Sequence, residues 1–130
     1  MHKTLISALI LMASVTSTNN LTKVDAQKPK VNCAKATNTV EMKYCSQQSY
    51  QKADEKLNQG YKKVISTISG EQKQLLVTAQ QEWIKFRDNN CNFETYLSRG
   101  GTGYEIFRNG CLERLTKQRT KDLQEYLSSR

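Results

Sequence analysis

The amino-acid sequence predicts an all-α fold, a disulfide-stapled antiparallel three-helix bundle. Apolar residues recur at helical spacing in three successive segments. Short glycine-containing turns separate those segments, and short connections make neighbouring helices antiparallel. Four cysteines accompany a chain of 130 residues, a length that supports one domain with a small core. No useful stretch alternates with the period of a strand, and no internal repeat stands out.

The first 26 residues read as a secretory signal peptide. His2 and Lys3 make a weakly positive start, and Leu5 to Val15 form an apolar or small run of 11 residues. A span across the bilayer needs roughly 20 apolar residues, so this run is too short to stay in the membrane. Val24-Asp25-Ala26 before Gln27 is the favoured cleavage site, with Val15-Thr16-Ser17 as the alternative. No cysteine follows the run at lipobox distance, and Cys33 is preceded by Asn32 instead of a small residue. No stable membrane anchor is therefore expected. The expected location is the periplasm or the exterior of a bacterial cell.

Residues 27–37 contain the one proline, Pro29, and little periodicity, and are expected to form an extended arm. A helical domain follows over 38–130. Asn38 with Glu41 resembles a capping box. Cys45, Tyr50, Ala53, Leu57, Tyr61, Val64, Ile65 and Ile68 then form the stripe of a first helix, with Gly60 inside it. Ser69-Gly70 breaks the pattern, and Ser69 with Gln72 suggests a second capping box. The second stripe is Leu75, Leu76, Ala79, Trp83, Phe86 and Asn90, running on towards Tyr96 and Leu97. Arg99, Gly100, Gly101, Thr102 and Gly103 form a glycine-rich turn, in which Thr102 with Glu105 suggests a third cap. The third stripe is Phe107, Cys111, Leu115, Arg119, Leu123 and Tyr126 or Leu127.

Cys33, Cys45, Cys91 and Cys111 all lie beyond the signal segment, and an even count in a short exported chain reads as two disulfides. A four-cysteine zinc site competes poorly, because no close CxxC pair is present to nucleate it. Folding the helices back at residues 69–70 and near residue 101 brings Cys45 level with Glu94, Cys91 level with Gln48, and Cys111 opposite Cys91. The favoured pairs are Cys33–Cys45 and Cys91–Cys111. Cys45–Cys91 with Cys33–Cys111 stays open, since spacing alone does not decide connectivity.

The same register sets Asp54 opposite Lys85 and Arg119 opposite Trp83, with Arg87 within a turn of both. Asp54, Arg87 and Arg119 are therefore expected to converge beside the one tryptophan, with Asn58 and Gln80 completing a structural polar cluster.

Charge and composition narrow the function classes. Of 20 Lys+Arg and 12 Asp+Glu, cleavage removes Lys3, Lys23 and Asp25, leaving a formal charge of +7. It also removes His2, the one histidine, so no Ser-His or Cys-His nucleophile pair and no His-containing metal site is available. No motif sets two carboxylates at a working separation, so no catalytic residue, metal or cofactor is expected. Redox exchange lacks a CxxC, and nucleic-acid binding is disfavoured by dispersed charge and export.

Residue by residue, the chain resembles a known family. Cys33, Cys45, Ala53-Asp54, Leu57-Asn58 and Tyr61 resemble the first half of the LprI-type lysozyme inhibitor domain. Ala79-Gln80, Trp83, Phe86-Arg87-Asp88, Cys91, Gly100-Gly101-Thr102-Gly103, Cys111, Thr116, Arg119 and Leu123 resemble the second half, so the likeness spans about residues 33–127. The resemblance implies a helical exported domain and, for the name-giving member, inhibition of lysozyme, with no catalytic residues to carry over. Members include a lipoprotein, and this chain departs from it by lacking the lipobox.

Two function classes follow. In the first, the protein inhibits lysozyme or protects the envelope, presenting Arg99, Gly100, Gly101, Thr102, Gly103 and Tyr104 as a partner-binding loop preorganised by Cys91–Cys111. In the second, it binds anionic envelope material or another exported protein through Lys28, Lys30, Lys35, Lys43, Lys52, Lys56, Lys62 and Lys63.

Overall fold

Three helices form where the three stripes predict them. A computed structural model describes residues 30–130, so the expected signal peptide (1–26) and the start of the arm lie outside the described residues. Helix α1 spans Thr39–Thr67, α2 Gly70–Glu94 and α3 Tyr104–Ser128, with 3-10 turns at Cys33–Lys35 and Tyr96–Ser98. No strand occurs among the described residues, and no described helix is long and apolar enough to cross a membrane.

Of the three expected caps, one forms. Asn38 Oδ1 accepts the Glu41 amide at 3.0 Å, and Glu41 Oε2 reaches back to the Thr37 amide at 3.1 Å. Ser69 occupies the cap position of α2 but makes no side-chain capping bond, because Gly70 turns the chain with a φ of 57°. Its expected partner Gln72 instead donates to Tyr126 Oη at 2.8 Å. Thr102 does not cap α3 either, since the helix starts after Gly103 and Glu105 forms an ion pair with Lys43 of α1. The arm is also less extended than expected. Asn32 Oδ1 accepts the Ala34 amide at 3.1 Å and folds Cys33–Lys35 into a turn of 3-10 helix.

The disulfides are Cys33–Cys45 and Cys91–Cys111, with Cα separations of 5.5 and 5.6 Å. The first fastens the arm to α1, and the second joins the end of α2 to the start of α3.

Helix α2 runs antiparallel to its two neighbours, so α1 and α3 run parallel. Their contacts keep a constant offset of 63 residues: Asn109 bonds Ser46, and Arg130 bonds Thr67. This pair, the most distant in sequence, has the closest backbone packing, whereas α2 stands further from α1. The residue sizes explain the difference. Ala53 and Gly60 on α1, with Thr116 and Thr120 on α3, are buried and small, which lets the two axes approach. The buried hydroxyl of Thr120 is satisfied inside its own helix, by the Thr116 carbonyl at 2.9 Å.

Two clusters make the core. Leu57, Val64 and Leu123 are buried towards the Gly70 turn, flanked by Tyr61, Ile68, Leu76 and Trp83. Cys91, Cys111 and Leu112 are buried at the opposite end, against Tyr50 and Leu115. The expected stripe of α2 is corrected here. Leu75, Ala79 and Phe86 face solvent, and the buried positions of α2 are Gln80, Arg87 and Cys91. Phe107 of the third stripe is exposed as well.

Candidate functional site

The end of the bundle opposite the Gly70 turn carries the glycine-rich loop on a rigid base. Cys91 is fully buried, and its carbonyl accepts both the Thr95 amide (3.1 Å) and the Thr95 hydroxyl (2.6 Å). Thr95 is itself buried, which ends α2 on a satisfied polar group. The chain then turns through Tyr96–Ser98, and the Ser98 carbonyl accepts the Gly101 amide at 3.1 Å. Gly100 adopts a φ of 81°, a conformation that a side chain would strain, and this reverses the chain towards α3. An ion pair between Arg114 and Glu94, at 2.7 Å, braces the Cys91–Cys111 bond from outside.

This rigid end displays apolar side chains to water. Leu97 is 98% exposed, and Phe93, Tyr96 and Phe107 are exposed as well. Val40 and Met42, in the first turn of α1, are exposed at the same end. Large apolar side chains are thus exposed from α1, α2, the turn and α3 at this one end of the bundle. The Arg99 guanidinium lies over the Tyr96 ring, 4.9 Å from its centroid. Of the six residues expected to form the binding loop, Arg99, Gly100, Gly101 and Thr102 lie in the exposed turn. Gly103 is the N-cap of α3 and Tyr104 its first residue, half-buried.

The expected polar cluster divides into two. Arg87, only 7% exposed, donates from Nη1 to Asp54 Oδ1 and Thr116 Oγ1, each at 3.3 Å, and from Nε to Asp88 Oδ1 at 2.9 Å. Its guanidinium lies over Trp83 at 5.2 Å and over Tyr50 at 5.5 Å. Asn58 completes this group by donating to Asp54 Oδ2 at 3.3 Å. Arg119 does not join it. Its Nε donates to Gln80 Oε1 at 3.0 Å, nearer the Gly70 turn. Burial pushes the Tyr50 phenol above its ordinary value, partly offset by the Arg87 charge. The arrangement neutralises a buried guanidinium and fixes helix register.

Sequence reasoning missed Tyr50, Asp88 and Thr116 as partners of Arg87. Their signal is positional: Tyr50 lies one turn before Asp54, Asp88 follows Arg87, and Thr116 lies one turn after Leu112 on the buried face of α3. Among the described residues, no three His, Cys, Asp or Glu side chains gather as metal ligands.

Residues 32–123 match the family described as Lysozyme inhibitor LprI, a span that holds both disulfides, the exposed loop and the Arg87 cluster. The chain is also 32% identical over 118 residues to a protein of Rhizobium meliloti (strain 1021) described as uncharacterised. That alignment covers 81% of this chain and 85% of the relative. No solved structure matches.

Proposed function

This chain belongs to the LprI lysozyme inhibitor family, and from that membership we propose that it is an exported, non-catalytic protein that blocks a lysozyme with its Cys91–Cys111 end. The observation that carries this reading is Leu97, 98% exposed at the tip of a disulfide-framed turn and flanked by Tyr96 and Arg99. An inhibitor must fill a concave cleft without a large ordering cost, and a loop already held by covalent and backbone bonds keeps that cost low. Leu97 supplies apolar area, Tyr96 an aromatic anchor and Arg99 a cation for carboxylates in the cleft. Two disulfides suit an oxidising compartment, which supports export.

Charge constrains the encounter. Common lysozymes are basic, so a partner with a mature charge of +7 is not steered in at long range. Complementarity then lies in the contact itself, and moderate salt should leave inhibition intact or strengthen it. The test is lysozyme turnover on cell walls with micromolar protein added. Slowed turnover supports the reading, and unchanged turnover overturns it.

A second reading, binding of anionic envelope material, is favoured by one observation. Lys52, Lys56, Lys62 and Lys63 are exposed on α1 and make no ion pair among the described residues. Salt-sensitive retention on an anionic glycan, absent on a neutral one, is its expected signature.

A further inference from the structure

A groove of about 420 Å³ lies between the first halves of α1 and α3, sharing Tyr104 with the expected binding loop but not lined by Tyr96, Leu97 or Arg99. Lys43, Gln47, Tyr50 and Gln51 line it from α1 at helical spacing, opposite Tyr104, Arg108 and Leu112 of α3. From Lys43 to Gln51 its wall runs for roughly 12 Å of helix. We infer that this groove binds a neutral or singly charged oligosaccharide, and that Tyr50, Tyr104, Gln47, Gln51 and Arg108 recognise it.

The unspent hydrogen-bonding groups point to this class. The Gln47 side chain makes no hydrogen bond within the described protein, and the Gln51 side chain uses only its Oε1, which accepts from Gln48 at 3.1 Å. Arg108 spends Nε on Asn92 Oδ1 at 3.0 Å, an anchor that fixes the guanidinium and leaves both terminal nitrogens as donors. The rim is thus rich in donors and suits a ligand rich in hydroxyl and carbonyl oxygens.

Charge excludes a polyanion. Lys43 is neutralised across the groove by Glu105, which leaves Arg108 as the one uncompensated cation among the lining residues. A purely apolar ligand is excluded too, since the buried hydrophobic floor is confined to Leu112. Between these limits, the two half-buried tyrosines offer ring surface for the apolar faces of sugar rings and hydroxyls for their edges. The Arg87 guanidinium lies over the Tyr50 ring and helps hold it in place before a ligand arrives.

The test is a titration of the isotope-labelled protein with chitotriose, read by amide chemical shifts, with no lysozyme present. The expected result is saturable shifts confined to residues 43–51 and 104–112 with a millimolar or tighter Kd. Tyr104→Ala should weaken binding about tenfold. Gln47→Ala with Gln51→Ala, both at exposed positions that leave the fold intact, should weaken it by a similar factor. Absence of saturable shifts, shifts that fall on the loop instead, or undiminished binding by the double variant would overturn the inference. Binding of heparin in place of chitotriose would overturn it as well. Because the readout is direct, failure here leaves the lysozyme reading untouched, and failure of that reading leaves this one standing.

Discussion

Arg87 on α2 meets Asp54 on α1 at 3.3 Å, across the helix pair whose backbones stand furthest apart. A long side chain spans the gap between these two helices. The guanidinium also bonds Asp88 and Thr116, so one residue ties all three helices at mid-height.

Removing that bridge should be costly, because Arg87 is buried on α2 and its partners Asp54 and Thr116 lie on other helices. Arg87→Ala leaves Asp54 and the Thr116 hydroxyl without their partner, and should lower stability by about 3 kcal/mol. Asp54→Ala leaves Arg87 its bond to Asp88 and its place over Trp83 and Tyr50, so it should cost only about 1 kcal/mol. Urea denaturation of the two variants checks the order, and equal losses would contradict it.

The two disulfides should differ in weight. Replacing Cys91 and Cys111 by serine should cost about 3 kcal/mol and raise amide exchange across residues 95–103, which depend on that bond for their base. The other bond holds an arm turn with no buried residue, so the Cys33 and Cys45 pair of substitutions should cost about 1 kcal/mol. Exchange mass spectrometry with denaturant midpoints separates the two cases.

Two glycines should respond in opposite directions to alanine. Gly100 adopts a positive φ, so Gly100→Ala should destabilise by about 1 kcal/mol through backbone strain. Gly110 lies inside α3 with open space where a Cβ would sit, and Gly110→Ala should stabilise by about 0.5–1 kcal/mol through helix propensity. Thermal melts of the pair read the sign directly.

Tyr50 gives a pH dependence. Burial favours its neutral form in the folded protein, so its contribution is fully present below the ordinary tyrosine value of 10.0. It is lost as pH rises through the higher folded value. Tyr50→Phe should therefore remove part of the alkaline fall in stability without changing the neutral region. Denaturation midpoints followed across the alkaline range, with both disulfides intact, measure this difference.

Much of the scaffold is legible in the sequence because its long-range features have local markers. Fold-back at Ser69-Gly70 and at the glycine-rich turn sets the register that pairs Cys91 with Cys111 and implies the parallel offset between α1 and α3. The stripe of α1 works because Ala53, Leu57 and Val64 are apolar and buried. Helix α2 misleads for a physical reason. Its inward face carries Gln80 and Arg87, whose partners lie on other helices, while Leu75 and Phe86 lie in water. The apolar periodicity is then right only for Leu76 and Trp83, which pack on the core, and misses the polar inward positions.

The loop end was legible as a turn and illegible as a surface. Tyr96 and Leu97 continue an apolar stripe, and nothing local indicates that Thr95 terminates the helix by bonding back to Cys91. That termination lifts Leu97 out of the core. The caps at Ser69 and Thr102 fail similarly, since their neighbours Gln72 and Glu105 find partners on distant helices.

The measurement that tests the central proposal most directly is lysozyme turnover with wild-type protein and with Leu97→Asp, at matched micromolar concentration. Leu97 makes no buried contact, so the variant should keep the wild-type melting temperature. The account predicts dose-dependent slowing by the wild type and at least a tenfold loss of potency in the variant, since a buried charge at the contact is costly. Unslowed turnover, or equal inhibition by the two proteins, would contradict it.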